Sequence, residues 1–296
     1  MSAELIDVAN RLAAKGRGIL AADESTGTIG KRLEKAGLVN DEETRRRWRE
    51  LFLTARLGDH VSGVILFKET LYQSASDGRP FVECLGAQGI LAGIKVDEGL
   101  EVIEGTDGET HTKGLDTLEQ RCKEYRRQGA RFAKWRAALR VTDTCPSDPV
   151  IEANAVELAS YAVICQRCGL VPIVEPEILI DGPHDAERFA AVSERVISEV
   201  VTELWKQGVL LEGCLLKPQM VVPGTDFPGP RLQPEEVAAL TLRVMRRAVP
   251  PAVPGIMFLS GGMSEVEATT NLNALNVAAA RQDRGACACG SELAWR

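Results

Sequence analysis

Seven short apolar runs recur along this chain, their starts roughly 30 to 45 residues apart, each followed by polar residues and then a helical pattern. They are Gly18 to Ala22, Val61 to Phe67, Leu91 to Val96, Phe132 to Trp135, Val171 to Val174, Cys214 to Leu216 and Ile256 to Leu259. That spacing is the length of a strand, a helix and two loops, so the chain is pushed toward parallel strands joined by helical crossovers. The helices are marked by their ends as well as their periods. Asp41 to Leu57 places Trp48, Leu51, Phe52 and Ala55 on one apolar face. Val150 to Cys168 follows Asp148-Pro149 and stops at Gly169. Asp185 to Gln207 opens on a capping aspartate and stops at Gly208.

Alternation without a break in composition predicts one parallel α/β domain. A chain of 296 residues is long enough for two average domains, but an α/β barrel of this length is one. No GxGxxG follows the first run, which weighs against an open dinucleotide-binding sheet. The chemically interesting residues follow many different strands, as they do at the rim of a (β/α)8 TIM barrel. The expected fold is therefore of that barrel type, with strands one to seven recognisable and no eighth apolar run after Ile256 to Leu259.

Composition excludes several classes. A net charge of −7 argues against nucleic acid as a main partner, because backbone phosphates demand a basic face. No apolar stretch is long enough to span a bilayer, so no membrane partner is expected. The N-terminus carries acids early and has no signal-peptide core, and a cytoplasmic location is expected. Eight cysteines in so long a chain do not make a disulfide scaffold. Cys165-Gln166-Arg167-Cys168 has no second CxxC, Cys287 and Cys289 stand too close for a zinc finger, and the three histidines are scattered; no metal site is expected. Arg45-Arg46-Arg47 lies among Glu42, Glu43 and Glu50 on a helix and reads as a solvated face.

The run ends hold the chemistry. Lys217 closes Gly213-Cys214-Leu215-Leu216-Lys217, and an ammonium there is costly to desolvate. Burial lowers a lysine pKa, and neutral amine near pH 7 is what a Schiff-base nucleophile needs. Taken alone, such a lysine is more simply a side chain snorkelling at a strand end. The pattern repeats, however: Asp23 follows the first run, Lys95 is a second lysine inside an apolar run (the third), Lys134 and Arg136 alternate to one side of the fourth, Glu175 and Glu177 end the fifth, and Ser260-Gly261-Gly262 ends the seventh. After the first run, Asp23 to Arg32 resembles a phosphate loop only superficially, because the G-x4-GK spacing fails; a helix opening at Thr28 still offers amides to an anion. Any one of these charges reads equally well as a rim salt bridge. Three lysines, two glutamates and an aspartate together pull pKa values apart, suit a substrate with phosphates at its ends, and favour an active site.

The run Gly18 to Ser25, with Gly93-Ile94-Lys95-Val96-Asp97, Phe132-Ala133-Lys134-Trp135-Arg136, Val174-Glu175-Pro176-Glu177, Leu215-Leu216-Lys217-Pro218 and Phe258-Leu259-Ser260-Gly261-Gly262, resembles the class I fructose-bisphosphate aldolases in order and spacing. The resemblance implies cleavage of a ketose bisphosphate through an iminium on Lys217, with Glu175 and Lys134 moving protons, Glu177 supporting them and Asp23 near the C4 hydroxyl. It implies that Ser260 and Gly261 hold one phosphate, while Arg32, Lys95 and Arg136 meet charge at the other end. It also implies a homotetramer, no cofactor and no metal. The likeness fades after Asn276, so residues 1–276 are read as the barrel domain and 277–296 as a non-matching tail. The family's eighth strand, arginine-bearing phosphate loop and tyrosine-ending tail are not recognisable there. Met263 stands where the family usually has glutamine. Another Schiff-base lyase, or a non-catalytic barrel acting as an interaction protein, remain alternatives.

Overall fold

A computed structural model describes residues 1–283 and the backbone of 293–294, with side chains as far as Arg281. The first helix, α1 (Ser2–Leu12), is followed by β1 (Gly18–Ala22), α2 (Thr26–Lys35), α3 (Glu42–Leu53), β2 (Val61–Leu66), α4 (Lys68–Leu71), α5 (Phe81–Gly86) and β3 (Leu91–Lys95). A small hairpin, β4 (Leu100–Val102) with β5 (Thr110–Thr112), precedes α6 (Leu118–Arg127) and β6 (Phe132–Leu139). Next come α7 (Asp148–Arg167), β7 (Val171–Ile178), α8 (Ala186–Lys206), β8 (Leu215–Leu216), α9 (Pro234–Ala248), β9 (Ile256–Met257) and α10 (Glu265–Asp283). A two-residue strand, β10 (Leu293–Ala294), lies parallel to β9.

The main sheet runs in the order β1-β2-β3-β6-β7-β8-β9-β10, and every ladder in it is parallel. The seven apolar runs are its first seven strands, so the barrel-type fold is borne out. No ladder among the described residues joins β1 to β10, and the barrel stays unclosed at that edge. The β4–β5 hairpin is antiparallel and separate, and sequence periodicity had not marked it.

The seven strands that match the apolar runs, β1–β3 and β6–β9, are largely buried on both faces, which is why each reads as an unbroken apolar run. The inner faces form one core: Ile19, Ile65, Leu91, Phe132, Val171, Ile173, Leu215 and Met257 meet Leu5, Val8, Ala9 and Leu12 of α1. Those four positions of α1 lie at helical spacing, so the helix closes one end of the barrel with a single stripe. Glycine sets the space inside. A Cβ on Gly93 would come within 2.2 Å of the Phe132 ring, and one on Gly63 within 2.9 Å. The outer faces pack on α5 to α10 in a second, larger core.

Helix ends follow their predicted signals. Asp41 accepts from Thr44 N at 2.8 Å and Asp185 from Arg188 N at 2.7 Å, each satisfying an orphan amide of a first turn. Gly169 and Gly208 take φ of 74° and 72° just past α7 and α8, a conformation glycine adopts without a Cβ clash. The exception is α3. Its buried residues are Arg45, Arg49 and Leu53; of the apolar face seen in the sequence Phe52 packs on the core and Trp48 is half-buried, but Leu51 is 72% exposed, so the inward face is rotated from the one expected. Of the three consecutive arginines, Arg47 is solvated and Arg46 half-buried, but Arg45 is buried on Glu69 at 2.6 Å.

Candidate active site

Parallel strands deliver their carboxyl ends to one rim, and the register there aligns the charged residues. Lys95 pairs across the β3–β6 ladder with Lys134, and Arg136 across the β6–β7 ladder with Glu175. Lys217 follows β8 directly, its backbone N–H donating to Val174 O at 2.8 Å. Alternation along β6 and β7 sends Lys134 with Arg136, and Glu175 with Glu177, to the same side.

The result is a buried charge cluster. Lys217 is 2% exposed, and its Nζ donates to Glu175 Oε1. The other oxygen of Glu175 lies 3.1 Å from Lys134 Nζ. Lys134 also reaches Asp23 Oδ2 at 2.9 Å and Asp97 Oδ2 at 4.0 Å. Asp97 in turn accepts from Lys95 at 2.5 Å. Three ammonium groups therefore face three carboxylates, all but Lys95 nearly lost to solvent. Burial by itself pushes the Lys134 pKa down, yet Glu175, Asp23 and Asp97 together carry it above the ordinary lysine value. At neutral pH Lys134 is a fixed ammonium, able to give a proton to a developing oxyanion or hydroxide.

Asp23, Lys95, Lys134, Arg136 and Arg32 share the wall of a pocket of about 340 Å³ with Asp97, Ser25 and Leu100. Arg32 stands at its outer edge, 58% exposed and paired with Glu24 at 2.6 Å. Lys217 and Glu175 are not on that wall and connect to it through Lys134. Arg136 donates to Glu177, so these two charges form a pair beside the cluster. Ser260 and Gly261 lie apart, after β9; the Gly261 carbonyl accepts from Gln219 Nε2 at 3.2 Å, which ties that loop to the strand end carrying Lys217. The helix expected to open at Thr28 opens two residues earlier, at Thr26, capped by Ser25. Sequence reading left two residues outside the candidate set: Asp97, two positions beyond Lys95 in the same run, and Arg49, hidden because a buried arginine breaks the apolar code for a helix face.

Comparison with known proteins agrees with this arrangement. The family model for fructose-bisphosphate aldolase class-I matches residues 4–284. The chain belongs to the class I fructose-bisphosphate aldolases. Among its relatives, the cytosolic fructose-bisphosphate aldolase 5 of Arabidopsis thaliana is 57% identical over 274 residues, covering 92% of this chain and 76% of that protein. The aldolase of Dictyostelium discoideum is 54% identical over 278 residues, covering 93% and 78%. A solved structure of the Plasmodium falciparum aldolase, in complex with TRAP and a small-molecule inhibitor, superposes with a TM-score of 0.94 at 47% identity, covering 99% of this chain and 84% of that one. Aldolases of this class work through a lysine Schiff base, and the buried Lys217–Glu175–Lys134 cluster lies at the carboxyl ends of the strands, where barrels of this type carry their active sites. Among the described residues, no three His, Cys, Asp or Glu side chains converge as a metal site would require; Cys287 and Cys289 lie outside the described residues.

Proposed function

We propose that this chain cleaves fructose 1,6-bisphosphate to dihydroxyacetone phosphate and glyceraldehyde 3-phosphate, and runs the reverse condensation, through an iminium on Lys217. The observation that carries this reading is the buried contact of Lys217 with Glu175, itself bridged to Lys134 at 3.1 Å. Glu175 takes a proton from Lys217, whose neutral nitrogen bonds to the C2 ketone carbon. Lys134 and Glu175 then return protons so that the C2 oxygen leaves as water and the iminium forms. Asp23 accepts the C4 hydroxyl proton as the C3–C4 bond breaks. The bonding pair flows to C3 and neutralises the iminium as an enamine. Protonation at C3 and attack by water release the second product and restore the amine.

Glu177 supports this relay through Arg136, which it pairs with. Arg32, Lys95 and Arg136, around the 340 Å³ pocket, suit one phosphate, and the Ser260–Gly261 loop suits the other. A cytosolic location agrees with the named cytosolic relatives. By likeness to the family we also propose a homotetramer; a sedimentation coefficient of a monomer refutes that part.

The test is borohydride reduction of the folded chain with dihydroxyacetone phosphate, followed by peptide mass mapping. The expected result is one reduced adduct, on Lys217. A folded chain that gives no adduct favours the non-catalytic alternative, and an adduct on another lysine refutes the assignment of the nucleophile.

A further inference from the structure

The most fully buried charged side chain among the described residues is not in the reacting cluster. Arg49 on α3 is 0% exposed, a guanidinium held wholly inside the protein. Desolvation lowers its pKa despite the nearby carboxylates of Glu24 and Glu69, so the fold bears a real cost in keeping it charged there. Its ring-ward face lies over Phe67, with Cζ 5.6 Å from the ring centroid. One terminal nitrogen reaches Glu69 Oε1 at 3.3 Å, and Glu69 is clamped from its other side by Arg45 at 2.6 and 2.9 Å. The other donates to the backbone carbonyl of Glu24 at 2.7 Å. Glu24 follows Asp23 directly, and its side chain pairs with Arg32.

The Arg49 bond to the Glu24 carbonyl is the one that reaches the site. Asp23 sits on the segment where β1 leaves the sheet and turns into α2, with the β1 ladder to β2 ending at Ala22 and Arg32 lying further on, inside α2. Beyond Ala22 the segment has no sheet partner, and the Arg49 bond is a charged anchor from a different layer of the fold. A hydrophobic side chain would fill the space under Phe67 at lower desolvation cost but could not donate to the Glu24 carbonyl.

We propose that Arg49 is a positioning residue: by holding the Glu24 carbonyl it sets the place of Asp23, and so governs carbon–carbon cleavage without governing iminium formation. This rests on the functional reading above, in which Asp23 takes the C4 hydroxyl proton and Lys217 forms the iminium. Dihydroxyacetone phosphate has no C4, so its iminium needs Lys217, Glu175 and Lys134 but not Asp23. The two reactions therefore separate the role of Arg49 from a general loss of fold.

The experiment compares the unmodified chain with Arg49→Met and Arg49→Lys in two assays: steady-state cleavage of fructose 1,6-bisphosphate, and the rate of borohydride trapping of dihydroxyacetone phosphate on Lys217. For Arg49→Met the expected kcat for cleavage falls by about a hundredfold, the scale on which misplacing a reacting group by an ångström slows a reaction. Trapping proceeds at the unmodified rate, and Arg49→Lys, which can still donate to one carbonyl, recovers part of the lost kcat. Equal losses in both assays, in either variant, overturn the proposal in favour of a purely structural role. Cleavage at the unmodified rate in Arg49→Met overturns it as well. Should Arg49→Met fail to fold, Arg49→Lys alone decides, since only positioning predicts that its cleavage drops further than its trapping. An unmodified chain that traps nothing removes the functional reading first, and this inference with it.

Discussion

The inside of the barrel offers a sharp test of the packing argument, through Gly93→Ala. Gly93 lies in the middle of β3, and its backbone is outside the left-handed region, so an alanine there suffers no conformational strain. Only space is at issue. The new methyl would lie 2.2 Å from two carbons of the Phe132 ring, where ordinary contact begins at 3.4 Å. The ring has little room to swing aside, because it lies close over the Gly63 backbone of β2 and Phe132 is fully buried in the core that α1 caps. A methyl forced into a packed core costs about 1–3 kcal/mol, and the tight space around the ring puts this case near the upper end, about 3 kcal/mol. With a melting shift of about 2 °C per kcal/mol for a chain this long, the variant should melt about 6 °C below the unmodified protein at a fixed scan rate. The same substitution combined with Phe132→Leu should be less damaging than the two single losses summed, by about 1 kcal/mol or more, since the leucine gives way. A Gly93→Ala protein melting within about 1 °C of the unmodified one, or strict additivity in the double variant, refutes the reasoning.

Two further outcomes follow from charge. Lys134→Met leaves Asp23 and Glu175 without their shared ammonium, and cleavage should slow by about 10²–10⁴-fold, the usual worth of a positioned proton donor; a loss under about tenfold shows that Lys134 is not that donor. His184, 9% exposed and stacked on Phe189 at 5.5 Å, has neither ring nitrogen bonded among the described residues, and burial pushes its pKa below the ordinary value while Asp185 only partly opposes. A depressed folded pKa means that the unfolded chain binds the proton more readily, so the stability tied to neutral His184 is present above about pH 6.5 and is lost as pH falls through the folded value. Melting curves of His184→Phe across that range should therefore fall less steeply with acid than those of the unmodified chain, and parallel curves would rule the group out.

What the sequence made legible, and what it hid, divides along one physical line. Strands buried on both faces must be written in apolar residues, so all seven runs, and with them the barrel-type fold, could be read without coordinates. A charge at the end of such a run has no cheap explanation, which is why Lys217, Glu175, Lys134 and Asp23 could be singled out before their contacts were known. Asp97 was in plain view in the same motif as Lys95, and only its place between Lys95 and Lys134 shows that it belongs to the cluster. The β4–β5 hairpin is three residues per strand with Leu100 and Val102 exposed, too short and too open to impose a period. α3 failed for the opposite reason. Binary patterning assumes that what is buried is apolar, and here the inward face is held by Arg45 and Arg49 on Glu69 while Leu51 faces solvent. A fold that buries an arginine pair in place of a leucine stripe gives up cheap hydrophobic stabilisation at that helix. The offset has to lie in what the guanidinium can do and a leucine cannot, and of its bonds, to Glu69 and to the Glu24 carbonyl, the second lies at the margin of the site. The breakdown of the pattern is thus itself a pointer to function: where a helix in an otherwise regular barrel turns charge inward, the reason is to be sought at the loop that the charge holds.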